Sequence, residues 1–476
     1  MTEYRDVVEV HCAAVDLGAT SGRVMRAVIG PDSLEMVEVA RFANGPVRHG
    51  DALHWDINAL RAHIMAGLRA ALAEDPLITS IGIDSWAVDY GLVAEGRLLS
   101  APYHYRDERN AAAVDAVHAL VPPDELYAAT GLQHLPFNTL FQLAAEGSRL
   151  ERAEHVLLIP DLVAWWLTGR AVAEATNAST TGLLDPRTRQ WHEPLIAKLG
   201  LPRGILPEIV HPGDEIGPLS TDAAAELAAP SGVRVVAVGS HDTASAVAAV
   251  PFAQLDAAYI SCGTWGLVGL ELEHPVMTDA SREANFTNEG GVDGRVRFLH
   301  NVTGLWLLSE SVRSWEATDG PIDLPALLAD AALVEGPIAV FEANDARLSA
   351  PGDMPRRIAE IIAETGQLVP DSRAAFARAI VESLAAAFAD AAHTAARLAD
   401  REVSVIHIVG GGSLNTLLCQ LTADRAGLPV LAGPVEATAI GNVLVQARAL
   451  GLGGDLESLR ALVAATHPPR RFDPNL

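Results

Sequence analysis

The sequence predicts an α/β protein built from two lobes that repeat one strand–turn–strand element. Its 476 residues suit two or three domains, and 49% of them are hydrophobic, which is enough for sizeable cores. The apolar residues 12–15 lead into a Gly/Ser/Thr turn and a second apolar run, and residues 257–269 repeat this arrangement. Residues 233–238 are rich in valine, which indicates a strand buried on both faces. These observations favour a duplicated architecture.

The first strand–turn–strand element reaches Asp16 and then turns through residues 18–22. Glycine and hydroxyl residues in such a turn let backbone N–H groups crowd around a phosphate, although an ordinary polar hairpin is the alternative. A carboxylate at the strand end is placed to hold Mg²⁺, through water. Because Gly263 and Thr264 supply a second copy of the turn, we expect a nucleotide between the lobes, with its phosphates held by both turns.

The valine-rich strand is followed directly by Ser240, His241, Asp242 and Thr243. Polar side chains at the carboxyl edge of a buried strand lie where α/β proteins place their chemistry. Taken alone, Asp242 is equally consistent with a helix cap, because short oxygen side chains accept hydrogen bonds from the first N–H groups of a helix. The other motifs of the chain are therefore needed to choose between a cap and a functional role for Asp242.

Other stretches place further polar groups beside predicted strands. An apolar strand over 78–83 ends in polar and aromatic residues, which indicates a ligand contact or an ordinary loop. The strand over 403–409 is followed by three glycines, which would let a flat ligand such as adenine lie on bare backbone, with a tight turn as the alternative. We predict a polar loop at 177–182, a turn-rich edge at 286–291 and Asn301 between a strand and a helix.

Charge and cysteine content narrow the class of protein. A formal net charge of -26 argues against nucleic acid and anionic membranes as partners. The three cysteines lack metal-ligand spacing and indicate reduced thiols. The N-terminus lacks a signal-peptide layout, and no uncharged apolar run reaches the ~18 residues of a membrane span. The sequence predicts a cytoplasmic protein, a monomer or small homo-oligomer, that binds small molecules.

Taken together, these stretches resemble the FGGY carbohydrate kinases. The resemblance extends in order over nearly the whole chain and rests on residues 16–23, 80–86, 105–107, 240–244, 263–265 and 410–412. It implies two ribonuclease-H-like lobes and a cleft that closes on ATP and a sugar. The implied domains are residues 1–243, residues 244–454, and a tail, 455–476, that packs on the first lobe.

The same resemblance implies a role for each candidate site residue, and Asp242 is carried over as the catalytic base. The implied sugar contacts are Ala87, His241, Asp242, Thr243 and Asn301. The implied ATP contacts are Ala19, Thr20, Ser21, Gly22, Arg23, Thr264, Ser309, Gly410 and Gly411. Asp16 is the candidate Mg²⁺ residue. Ala87 stands where the family has glycine, and Ser309 stands where it often has glutamine.

The implied reaction is ATP-dependent phosphorylation of a ketose at its 1-hydroxyl. The resemblance points to L-rhamnulose, and L-fuculose or L-xylulose remain open. An actin-like ATPase that phosphorylates no sugar is the alternative of another class, because such proteins share the duplicated phosphate turns. Dependence of ATP turnover on added sugar separates the two classes.

Overall fold

The computed structural model describes residues 9–253 and 256–475, which form two compact units. Counting described residues only, the first unit contains the chain up to Pro251 together with Glu271–Phe298 and Ala437–Thr466. The second contains Phe252–Leu270, Leu299–Glu436 and the residues from His467 onward. The domain boundaries expected from the sequence, 1–243, 244–454 and 455–476, stay a prediction.

Strands and helices alternate through both units. The strands are β1 Val10–Leu17, β2 Ser21–Ile29, β3 Leu34–Ala43, β4 Pro46–His49, β5 Ala52–Trp55, β6 Ser80–Ser85, β7 Tyr90–Ala94, β8 Arg97–Leu98, β9 His155–Leu158, β10 Val172–Glu174, β11 Leu184–Asp185, β12 Gln190–Trp191, β13 Glu208–Val210, β14 Glu215–Pro218, β15 Arg234–Val236, β16 Ala257–Cys262, β17 Trp265–Leu272, β18 Thr287–Gly290, β19 Val296–Thr303, β20 Val405–Val409, β21 Val430–Ala432 and β22 Arg470–Phe472.

The helices are α1 Ile57–Glu74, α2 Arg109–Leu120, α3 Pro123–Thr130, α4 Thr139–Ala144, α5 Ile159–Thr168, α6 Ala175–Ala178, α7 Glu193–Lys198, α8 Thr221–Leu227, α9 Asp242–Ala248, α10 Asp279–Glu283, α11 Trp306–Asp319, α12 Leu324–Ala332, α13 Met354–Glu364, α14 Arg373–Ala399, α15 Thr416–Ala426, α16 Ala437–Ala449 and α17 Leu456–Thr466. Within the described ranges, none combines the length and apolar character needed to cross a bilayer.

The main sheets of the two units share one strand order. In the first unit the order is β14-β15-β6-β1-β2-β3, and in the second β22, β21, β20, β16, β17 and β19 follow one another. In each unit an antiparallel hairpin, β1–β2 or β16–β17, is followed by two parallel neighbours, β6 and β15 or β20 and β21. An antiparallel strand then closes that side of each sheet. The duplication predicted from the two turns is confirmed.

Helix α16 packs on β1 and β6 of the first unit through buried polar side chains. Gln446 accepts a hydrogen bond from Ser80 Oγ (2.6 Å) and donates through Nε2 to the Ala13 carbonyl (3.1 Å). Asn442 Nδ2 donates to Asp84 Oδ2 at 2.6 Å. Gly82 makes room for this contact, since a Cβ there would lie 2.4 Å from Asn442 Oδ1. The helix is thereby fixed in register on the strands that carry Asp16 and Asp84.

Three local predictions were wrong. Residues 177–182 are not a loop, because the Glu174 side chain accepts hydrogen bonds from the N–H groups of Thr176 and Asn177 and so starts helix α6, which a buried 3₁₀ turn follows. Residues 286–291 include strand β18. Asn301 lies inside strand β19 and not after it.

Candidate active site

Three chain segments of the first unit meet at the carboxyl edge of its sheet. The Ser85 N–H donates to the Ser240 carbonyl (2.9 Å), and the Trp86 N–H donates to the Leu17 carbonyl (3.1 Å). Asp16 and Asp84 are direct partners in the β1–β6 register. The structure therefore brings Asp16, Asp84 and the 240–243 segment to one edge of the sheet. The sequence analysis had placed Asp16 and residues 240–243 at strand ends. Sequence reasoning had not singled out Asp84.

Asp242 is the first residue of helix α9, and His241 is the N-cap position. The Oδ1 atom of Asp242 accepts hydrogen bonds from the Thr243 N–H (2.6 Å) and the Thr243 hydroxyl (3.1 Å). Within the described part of the chain, Asp242 Oδ2 accepts no hydrogen bond. The side chain of Asp242 is 32% exposed. Partial burial raises the pKa of Asp242, as does the charge of Asp16, against opposite effects of His241 and Thr243. A higher pKa makes this carboxylate a stronger base than an ordinary aspartate.

His241 is buried beside two charged residues that the sequence analysis missed. Its Nδ1 lies 3.0 Å from Arg297 Nη2 and 3.3 Å from Glu289 Oε2. Its backbone N–H donates to the Thr176 hydroxyl at 3.3 Å. Glu289 lies on β18, within the stretch predicted as a turn-rich edge, and Arg297 lies on β19.

The turn between β1 and β2 is tight, and hydrogen bonds from Asn44, a residue outside the turn, stabilise it. Gly18 N–H donates to the Ser21 carbonyl (2.8 Å), and Asn44, another residue missed by the sequence analysis, bonds the Gly18 carbonyl and the Thr20 carbonyl (2.9 and 3.0 Å). Thr20 is exposed, Ala19, Ser21 and Arg23 are half-buried, and Gly22 is buried. Arg23 donates to Asp16 Oδ2 through Nε (2.8 Å) and Nη2 (2.6 Å).

The candidate residues of the second unit lie around its own hairpin turn and glycine-rich turn. Leu305 N–H donates to the Gly263 carbonyl (2.9 Å) and Trp306 N–H to the Thr264 carbonyl (3.2 Å), so the turn is tied to the start of α11. Thr264 and Asn301 are half-buried, Ser309 is exposed in the first turn of α11, Gly410 is half-buried, and Gly411 is exposed with open space where a Cβ would lie.

Ala87 lies in a strained loop that buried hydrogen bonds of the next two residues stabilise. The next residue, Val88, has a φ of 68°, which is unfavourable for a β-branched side chain. The Thr139 hydroxyl donates to the Val88 carbonyl at 2.8 Å. Asp89 is fully buried and accepts from Trp55 Nε1 at 2.6 Å, among other donors. Burial raises the pKa of Asp89 to about 7, although its N–H donors act in the opposite direction. Strain of this kind persists only where its surroundings enforce it, which marks a candidate binding loop.

We expect Asp89→Asn to lower the free energy of unfolding by about 1–3 kcal/mol, because the amide places N–H groups against buried donors. Urea unfolding of the wild-type protein and of the variant measures this difference. Asp185→Asn, at a surface ion pair with Arg187, is the matched control. Unchanged stability would contradict this account of the loop.

Comparisons with known proteins define the class. The N-terminal domain model of the FGGY family of carbohydrate kinases matches residues 12–249, and the C-terminal domain model matches residues 258–450. The chain therefore belongs to the FGGY family of carbohydrate kinases, and the predicted family is confirmed. ATP is the phosphoryl donor expected of such kinases.

Curated relatives give a narrower likeness. The chain is 40% identical over 466 residues to a protein of Bacteroides thetaiotaomicron named rhamnulokinase, with 97% of this chain and 95% of the relative covered. It is 41% identical over 470 residues to a rhamnulokinase of Pectobacterium carotovorum, with coverage of 97% and 92%.

Solved structures share the fold. A ligand-bound xylulose kinase of Lactobacillus acidophilus aligns with a TM-score of 0.79 at 18% identity, covering 98% of this chain and 94% of that one. Plasmodium falciparum glycerol kinase with ADP aligns with a TM-score of 0.76 at 14% identity and the same coverage. The predicted fold class, α/β with two ribonuclease-H-like lobes, is confirmed.

Proposed function

We propose that this chain transfers the γ-phosphoryl group of ATP to the 1-hydroxyl of L-rhamnulose, giving L-rhamnulose 1-phosphate and ADP. The observation that carries the proposal is the extent of the likeness to rhamnulokinases, about 40% identity over 97–98% of the chain. The structures of xylulose and glycerol kinases support the fold but are too distant in sequence to select a sugar. The proposed enzyme works in the cytoplasm in L-rhamnose catabolism.

Asp242 is the proposed general base. Its Oδ2 is the carboxylate oxygen that the Thr243 contacts leave available, so it can accept the proton of the attacking hydroxyl. Ala87, His241, Thr243 and Asn301 are the proposed sugar contacts. The proposed ATP contacts are Ala19, Thr20, Ser21, Gly22, Arg23, Thr264, Ser309, Gly410 and Gly411. Phosphoryl transfer is accelerated mainly by positioning and by neutralising charge on the transferred group, and backbone N–H groups of the two turns suit that task.

Mg²⁺ is the proposed metal ion, and Asp16 is its proposed protein residue. The described residues contain no cluster of three acidic, histidine or cysteine side chains that would enclose a cation. One carboxylate beside phosphate-binding turns suits Mg²⁺, which keeps several waters and takes its other ligands from phosphates. Asp84 Oδ1 is buried at the same edge without a hydrogen-bond partner among the described residues, and burial together with the charge of Asp16 raises the pKa of this carboxyl. Bound Mg²⁺ neutralises charge that develops on the phosphoryl oxygens.

Asp16→Asn should raise the Mg²⁺ concentration for half-maximal rate about tenfold, equivalent to about 1.4 kcal/mol, because a neutral amide binds the cation less well. Initial rates at fixed ATP across a Mg²⁺ series give this value. Arg61→Met, which removes a half-exposed ion pair with Glu226 on the same unit, is expected to leave it unchanged. An unaltered Mg²⁺ dependence in Asp16→Asn would exclude this residue from the metal site.

The substrate is tested by ADP release with Mg-ATP across L-rhamnulose, L-fuculose, L-xylulose, D-xylulose and glycerol. A strong preference for L-rhamnulose is the expected result. Preference for another ketose would keep the fold and the chemistry and overturn the substrate. ATP turnover that needs no sugar would favour the actin-like ATPase instead.

A further inference from the structure

A buried ion pair lies directly behind the imidazole of His241. Arg297 has 0% of its side chain exposed, and its Nη2 lies 3.1 Å from Glu289 Oε2, whose side chain is 6% exposed. Arg297 Nε donates to the Gly290 carbonyl at 2.8 Å. Burial raises the pKa of Glu289, but Arg297 and His241 together outweigh this effect, and the net shift of the pKa is downward. The carboxylate is therefore ionised, and the pair is neutral overall.

The position of this pair determines which ring nitrogen of His241 carries the proton. Arg297 Nη2 lies 3.0 Å from His241 Nδ1, and a guanidinium nitrogen can only donate. A contact this short therefore requires a lone pair on Nδ1, which leaves the proton on Nε2. Glu289 Oε2, at 3.3 Å, would favour a proton on Nδ1. A proton on Nδ1 would point at the N–H groups of Arg297, which is closer to Nδ1 than Glu289 is. The contact with Arg297 therefore determines the tautomer.

We propose that Arg297, held in place by Glu289, is a positioning residue that keeps His241 in the Nε2–H tautomer, so that Nε2 donates a hydrogen bond to a sugar oxygen beside Asp242. The donor role rests on the proposed function, whereas the tautomer does not. Nε2 lies 3.4 Å from Asp242 Oδ1, so the donor is directed to the same place as the proposed base. A ring held in this tautomer presents its donor before the sugar arrives, which reduces the ordering needed on binding.

The tautomer is measured directly by ¹⁵N NMR of the full-length protein labelled at histidine nitrogens, at neutral pH and without ligands. His241→Gln identifies the His241 signals among those of the 16 histidines by their disappearance. We expect a protonated-type shift for Nε2 and an unprotonated-type shift for Nδ1. The reverse assignment in the wild-type protein would overturn the proposal, whatever sugar the enzyme uses.

Variants at Arg297 test the cause. Arg297→Met should move the His241 signals toward the Nδ1–H tautomer and raise the KM for the sugar about tenfold, as expected when one hydrogen bond to a substrate oxygen is lost. Arg297→Lys keeps a donor and should restore much of both. Arg109→Met removes another largely buried arginine paired with a buried glutamate, Glu146, and should leave the His241 signals unchanged.

The outcomes separate this inference from the proposed function. An Nε2–H signal that persists unchanged in Arg297→Met would overturn the role of Arg297. The expected tautomer shift in a protein that phosphorylates none of the sugars would sustain the tautomer control and reject the kinase assignment. If Arg297→Met does not fold, the wild-type signals and the Arg297→Lys signals still decide.

Discussion

Asp242→Asn should lower kcat about 10²–10⁴-fold, the usual contribution of a positioned general base. Asparagine keeps an oxygen that can accept from Thr243 N–H, so we expect helix α9 to start in the same place. Binding of ATP and of the sugar should change little, because the substitution is isosteric. Steady-state rates at saturating sugar, with calorimetric titrations of each ligand, measure the two effects separately.

Asp279→Asn is a matched control, since Asp279 is also the first residue of a helix, α10, but its side chain is 90% exposed. It should leave kcat unchanged. A rate for Asp242→Asn close to that of the wild type would show that the proton is accepted elsewhere. ATP hydrolysis without sugar that survives the substitution would support the actin-like alternative.

Gly441→Ala should destabilise the first unit by about 3 kcal/mol, at the upper end for overpacking. A Cβ at this position would lie 1.8 Å from the Ser245 carbonyl oxygen, so α16 and α9 touch backbone to backbone. No rotamer change relieves a clash with main-chain atoms. Because α9 begins at Asp242, we also expect kcat to fall as the helix is displaced.

Urea unfolding midpoints and kcat test this prediction together. Gly204→Ala is the control, because a Cβ there meets no atom within 4 Å. It should change neither quantity. A Gly441→Ala protein as stable as the Gly204→Ala protein would mean that the two helices separate at little cost.

The elements that could be predicted from the sequence are those with a local residue pattern. Both glycine turns and the small-residue segment after residue 241 were found because strands, turns and helix starts leave local patterns. The shared strand order followed from the duplication. Asp242 was placed correctly at a strand edge because the polar segment comes directly after an apolar run.

The buried polar partners were not predictable in the same way. Glu289 and Asn177 lie in polar stretches that look solvent-exposed, yet both are buried. Their burial is compensated by partners that no periodic pattern reveals: Arg297, on the next strand, pairs with Glu289, and Glu174 accepts a hydrogen bond from the Asn177 N–H. Asp84 likewise depends on Asn442, which lies 358 positions later. Periodicity reports which face of an element is apolar, but it carries no record of such distant partners.

The position of α16 in the chain has a consequence for synthesis of the protein on the ribosome. This helix covers β1 and β6 of the first unit, but it is encoded after nearly all of the second unit. At about 5–20 residues per second, roughly 10–40 s pass between translation of Pro251 and translation of Gln446. During that interval the nascent sheet lacks its cover, and Ser80 and Asp84 lack their partners. We therefore expect the first unit to complete its fold only after Gln446 has been translated, and nascent chains of this protein to be clients of ribosome-associated chaperones until then.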